Sequence, residues 1–182
     1  MIKKITSSLL ALTLSASLYA DGYFGISYGI ASTDKTVYGN DSGEPNGPFI
    51  AYDDLSLLGI SFTGFNTSSK DLSFIAGAGV DLYANEGDIL NGGLLDANLK
   101  LGGKYKNFKA YGILGYGIQS LSDYTVAQGL LYGAGIRYDI LKHLSTALEY
   151  KINSLETTDN DDATANQSYT ISGIYFSLDV KF

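Results

Sequence analysis

From Gly22 onward, apolar side chains recur at every second position, the period of a β-strand whose two faces meet different surroundings. The first run, Gly22 to Ala31, sets Phe24, Ile26, Tyr28 and Ile30 on one face and Tyr23, Gly25, Ser27 and Gly29 on the other. Seven more runs follow, near Leu55 to Gly64, Asp71 to Tyr83, Leu94 to Tyr105, Phe108 to Gln119, Gly129 to Asp139, Ser145 to Asn153 and Ser172 to Phe182. Stretches of helical period are absent. The connections alternate in length. Lys106-Asn107 and Lys142 to Leu144 are tight, and Asn66 to Lys70 is slightly longer. Ser32 to Pro48, Ala84 to Gly93, Ser120 to Gln128 and Leu155 to Thr170 are long. Short turns at one end and larger loops at the other are the mark of an up-and-down barrel. The expected fold is therefore all-β: an eight-stranded antiparallel up-and-down transmembrane β-barrel spanning residues 21–182.

The two faces differ in chemistry. One parity collects Leu58, Ile60, Phe62, Phe74, Leu82, Leu99, Leu101, Leu114, Ile136 and Leu148, with no charge among them. The other carries Ser61, Thr63, Asp81, Asp96, Asn98, Lys100, Lys109, Gln119, Arg137, Asp139, Glu149, Lys151, Asp179 and Lys181, interrupted by Ile75, Ile113 and Leu131. A soluble lipocalin-like barrel would use the same alternation with the apolar face inward. Three features favour the inverse. Glycines 77, 79, 115, 117, 133 and 135 fall on the polar face, where a narrow interior needs small residues between long charged ones. A turn at Lys142 to Leu144 sets Arg137 opposite Glu149 and Tyr138 opposite Leu148, an ion pair inside and an apolar pair outside. Tyr105, Tyr138 and Tyr150 lie near strand ends, where amphipathic rings form interfacial girdles.

Composition fits this picture. The chain has 22 Gly and 15 Tyr but no Cys or Trp, so neither disulfides nor thiol chemistry is available to it. Its first twenty residues begin with Lys3 and Lys4, continue apolar from Ile5 to Leu18 and reach Ala20, the pattern of a cleaved signal peptide. The net charge of −7 becomes −9 without those two lysines, which argues against a nucleic-acid partner. No later segment approaches the ~20 apolar residues that a spanning helix requires.

The last run places Ile174, Phe176, Leu178, Val180 and the terminal Phe182 on one face. It resembles the carboxy-terminal signature of outer-membrane barrels. Upstream, Tyr132-Gly-Ala-Gly-Ile-Arg-Tyr138 followed by Leu148-Glu-Tyr150 resembles the penultimate hairpin of the small outer-membrane barrel superfamily, which includes the OmpA transmembrane domain and OmpX-like proteins of the porin family. The resemblance implies recognition of the last strand by the barrel assembly machinery and residence in a Gram-negative outer membrane, with its lipid as solvent. Nothing follows Phe182 that would match a peptidoglycan-binding domain, so cell-wall tethering is not expected.

Candidate chemistry is sparse. His143, Ser145 and Glu149 invite comparison with the His-x-Ser and Glu set of outer-membrane lipid A deacylases, but His143 falls in a turn at the wrong end, and a solvated histidine is the expectation. Asp159-Asn160-Asp161-Asp162 offers hard oxygen ligands without the glycine or distal Glu of an EF-hand, and reads as a solvated loop. The Gly-x-Gly pairs precede no helix and bind no phosphate. Neither catalytic residues, metal nor cofactor are expected. Inside, Asp81, Asp96, Lys100, Arg137, Glu149 and Lys151 are expected to form a closed charge network, because eight strands leave room only for side chains. The expected role is structural and non-enzymatic, with surface interactions through loops 32–48, 84–93, 120–128 and 155–170. A narrow porin-type channel is the alternative, ahead of a lipid A modifying enzyme or a soluble barrel.

Overall fold

A computed structural model describes residues 21–39, 49–68, 70–86, 90, 92–121, 126–157 and 165–182. The expected leader, 1–20, and the acidic run 159–162 lie outside the described residues. Eight strands form: β1 (Asp21–Gly39), β2 (Phe49–Asn66), β3 (Leu72–Glu86), β4 (Gly92–Tyr105), β5 (Phe108–Ser120), β6 (Val126–Leu141), β7 (Leu144–Thr157) and β8 (Ala165–Lys181). Each pairs antiparallel with its successor, and β8 pairs with β1 to close the barrel. Closure is what hydrocarbon demands, since it leaves no backbone N–H or C=O on an open edge.

The register fixes the shape. Starting at Leu72, the aligned partners run Tyr105, Phe108, Tyr138, Thr146, Leu178, Ile26 and Ile60, and return to β3 at Leu82, ten residues further along. A stagger of that size over eight strands tilts them by about 40° and gives a backbone radius of about 8 Å. At the β4–β5 turn Lys106 takes φ 52°, a left-handed conformation that a two-residue hairpin requires and that glycine usually fills.

Alternation sends each parity where the sequence indicated. Ile26, Leu58, Phe74, Leu114 and Phe176 are all more than half exposed, whereas Lys100, Lys109, Arg137 and Lys151 are buried. Among the aromatic residues, Tyr105, Phe108, Tyr138 and Phe182 point outward around the end that carries the tight turns. Five tyrosines, Tyr23, Tyr83, Tyr111, Tyr169 and Tyr175, point inward instead. Tyr175 and Tyr83 lie over glycines: a Cβ on Gly29 would come within 2.7 Å of the Tyr175 ring, and one on Gly59 within 2.5 Å of the Tyr83 ring. The absent side chains thus make room for two rings whose centroids sit 5.1 Å apart.

Two expectations are corrected. The β6–β7 connection is a two-residue turn at Lys142-His143, with a register shift between Asp139 and Leu141. Arg137 consequently aligns with Ala147, Glu149 with Gly135, Tyr138 with Thr146, and Leu148 with Ile136. The slip is two residues, so every side chain keeps its face. The second correction concerns the long connections. Much of 32–48, 84–93, 120–128 and 155–170 is strand: β1 runs on to Gly39, β2 starts at Phe49 and β8 starts at Ala165. Apolar alternation stops short of these strand ends, but pairing continues past that point. What changes there is the solvent.

That change is visible on the outward face. Along β1, Phe24, Ile26, Tyr28 and Ile30 give way to Ser32 and Asp34. Likewise Leu58 gives way to Ser56 and Asp54 on β2, Ile152 to Ser154 and Glu156 on β7, and Ile174 to Ser172 and Thr170 on β8. On β5 the switch coincides with the strand's last residue, Ser120. These positions mark one edge of the hydrocarbon layer. Inside the barrel the polarity inverts at about the same level. Leu55, Leu57, Leu94, Ala127, Leu155 and Ile171 pack there with Tyr83, Tyr169, Tyr175 and Leu90. Above the membrane edge the barrel is therefore built like a water-soluble one, greasy within and polar without.

Candidate functional site

The interior is a column of ion pairs assembled from strands far apart in sequence. Nearest the tight turns, Lys109 Nζ lies 2.9 Å from Asp139 Oδ2 and donates to Tyr23 Oη at 2.7 Å. Lys181 Nζ joins the same carboxylate at 2.8 Å and Asp21 at 3.1 Å. One level in, Arg137 Nη1 meets Asp179 Oδ2 at 2.6 Å, and that carboxylate also accepts from Ser61 Oγ and Ser177 Oγ. The Arg137 guanidinium stacks 4.3 Å from the Tyr23 ring centroid. Lys100 Nζ and Glu149 Oε1 are 2.6 Å apart, and Tyr111 Oη donates to the same oxygen at 2.8 Å.

Highest in the column, Lys151 Nζ serves two carboxylates, Asp81 and Asp96, each at 3.1 Å, and donates to Tyr83 Oη at 2.9 Å. Asp81 and Asp96 are direct cross-strand partners, so a cation between them is required: like charges aligned in this way repel. Asn98 Nδ2 adds a further donor to Asp81. The rings of Tyr175 and Tyr83 flank the ammonium at 4.3 and 4.7 Å from their centroids. Above it the side-chain amides of Asn85 and Gln119 exchange hydrogen bonds, and then the apolar cap begins.

All six residues named from the sequence as a network, Asp81, Asp96, Lys100, Arg137, Glu149 and Lys151, are buried inside the barrel. Their partners differ from the expected ones, because Arg137 engages Asp179 and Glu149 engages Lys100. Sequence reasoning placed Asp179, Lys109, Asp139 and Lys181 on the inward parity without giving them partners, since partners are set by stagger across strands distant in the chain. It also missed the cap. The available signal was the pair Leu55 and Leu57, apolar on the otherwise polar parity at the outer end of a strand.

His143, Ser145 and Glu149 are engaged separately. The His143 ring is exposed with Nδ1 3.3 Å from the Lys181 carbonyl, Ser145 Oγ donates to the Tyr138 carbonyl, and Glu149 is held by Lys100 and Tyr111. The last-strand residues Ile174, Phe176, Leu178, Val180 and Phe182 all face outward. Phe182 and Gly22 exchange two backbone hydrogen bonds, 3.0 and 3.1 Å, at the end of the closing seam, and the Phe182 ring covers Gly22.

A closed wall with hydrocarbon-facing apolar residues outside and paired ions inside defines an integral β-barrel of the outer membrane. Among solved structures, the chain is similar to the outer membrane protein OprG from Pseudomonas aeruginosa, with a TM-score of 0.44 and 14% identity over 90% of this chain and 97% of that one. It is also similar to the outer membrane protease OmpT from Escherichia coli, with a TM-score of 0.43 and 11% identity over 89% and 97%. A third is Ail, the attachment invasion locus protein of Yersinia pestis, solved with the heparin analogue sucrose octasulfate, with a TM-score of 0.36 and 15% identity over 86% and 99%. No protein-family model and no curated protein sequence matches the chain.

Proposed function

We propose that this protein is a non-conducting, non-enzymatic barrel that reinforces the outer membrane and presents its external end to the surroundings. One observation carries the reading: the lumen is filled. The ion-pair column occupies its length, and the apolar cap lies across its external end. An interior cavity bounded by Ser27, Asp81, Lys100, Arg137 and Glu149 measures about 10 Å³, room for one water rather than a hydrated ion. An apolar constriction further opposes passage, because an ion crossing it sheds its hydration. Variation on this fold is carried by what projects beyond the membrane.

Planar-bilayer recording with the refolded full chain tests this. The parent is expected to be silent. Steady single-channel steps that change in size when Lys151 or Arg137 is substituted would establish the narrow-channel alternative instead.

A further inference from the structure

The external rim is lopsided. β5 ends at Ser120, flush with the hydrocarbon edge, whereas β1, β2 and β8 continue well beyond it. The eight residues 32–39 of β1 rise roughly 20 Å above the level of Ile30, given the strand rise and tilt. Polar headgroups of a simple bilayer occupy only about 5–8 Å on each side. The three long strands therefore form a one-sided wall whose outward face continues the lipid-contacting face directly upward.

That outward face has a definite chemistry. Register sets Ser32 beside both Asp54 and Ser172, and Asp34 beside both Tyr52 and Thr170. The Ser32 and Ser172 hydroxyls lie 3.3 Å apart, and Tyr52 is 73% exposed. Hydroxyls that donate and accept and carboxylates that accept in several directions, together with one flat aromatic face, suit the hydroxyl-rich surface of a sugar. They suit acyl chains poorly, and among the described residues of this face there is no lysine or arginine to pair with a phosphate.

We propose that the outward face of the β8–β1–β2 wall is a contact surface for the saccharide headgroups of the outer-leaflet glycolipid. The occupant follows from continuity: lipid already seated against Ile30, Leu58 and Ile174 has its headgroup at the height of Ser32, Asp54 and Ser172. This rests on the outer-membrane reading above and names a partner for the external end.

The test uses the folded full chain in detergent with purified rough lipopolysaccharide, counting retained glycolipid by native mass spectrometry. The triple variant Asp34→Ala, Tyr52→Ala, Asp54→Ala removes exposed side chains that pack against nothing inside, and its heat-dependent gel migration reports that it folds. Retention is expected to fall about tenfold in the triple variant, the loss of roughly two hydrogen bonds, and to fall similarly when parent is given lipid A without core sugars. Equal retention by parent and variant, or no dependence on the core sugars, overturns the proposal. Ion conductance by the parent would overturn the non-conducting reading and leave this result untouched.

Discussion

Lys151 is the side chain whose removal tests the interior most severely. It is fully buried, and it alone separates Asp81 from Asp96, which are aligned across β3 and β4. Replacing it with methionine keeps much of the volume but leaves two carboxylates facing each other. Breaking one buried ion pair by deleting a partner costs about 3–5 kcal/mol. Here two pairs break together and two ring contacts to the ammonium are lost, so the cost should lie at the upper end, near 5 kcal/mol. The amide of Asn98 still donates to Asp81 at 3.1 Å, which keeps the sum below that of two independent pairs. Urea unfolding in lipid vesicles, followed by tyrosine fluorescence and gel migration, measures the difference. The triple variant Lys151→Met, Asp81→Asn, Asp96→Asn should recover more than half of the loss, because its buried groups are neutral. A single variant within about 0.5 kcal/mol of the parent would refute the ion-pair argument, a spread typical of silent substitutions. Equal losses in single and triple variants would assign the effect to packing instead.

The membrane edge is open to a paired test. Leu114→Lys places a charge on the lipid face and should cost about 2–4 kcal/mol in vesicles, whereas Ser32→Lys, beyond the hydrocarbon, should cost less than about 0.5 kcal/mol in the same assay. A large effect at Ser32 would place the hydrocarbon edge beyond Ser32. Phe182→Ala exposes Gly22 at the closing seam but removes a ring that is itself 63% exposed, so in vitro stability should drop by only about 1 kcal/mol. Its yield of heat-modifiable barrel in cells should fall several-fold. Unchanged yield would show that the last aromatic is dispensable for assembly.

The wall was legible in the sequence wherever one face touches lipid. Ile26, Leu58, Leu114 and Phe176 alternate so regularly with polar or small residues that strand number and order follow from spacing, while the glycines on the charged parity and the tyrosines near strand ends give the inside-out orientation. Partners were not legible. Arg137 and Glu149 flank one turn, which points to a pair, but the tilt of the strands brings Asp179 to Arg137 and, from β4, Lys100 to Glu149. Strand ends were lost for a related reason. At Ser32, Asp54 and Ser172 the outer solvent becomes water and the inner lining becomes apolar, so the contrast that revealed each strand fades while its hydrogen bonds persist.

The seam between β1 and β8 has a kinetic consequence. Its seventeen aligned pairs join the first strand to the last, across more than a hundred intervening residues. Each hairpin elsewhere can zip from a nearby turn, but this ladder must wait until all the others have brought its halves together. Until then β1 and β8 each offer a long row of unsatisfied amides to any passing strand. The chain is thus most vulnerable to the wrong neighbour just before completion, and a chaperone that shields those two edges would protect it best.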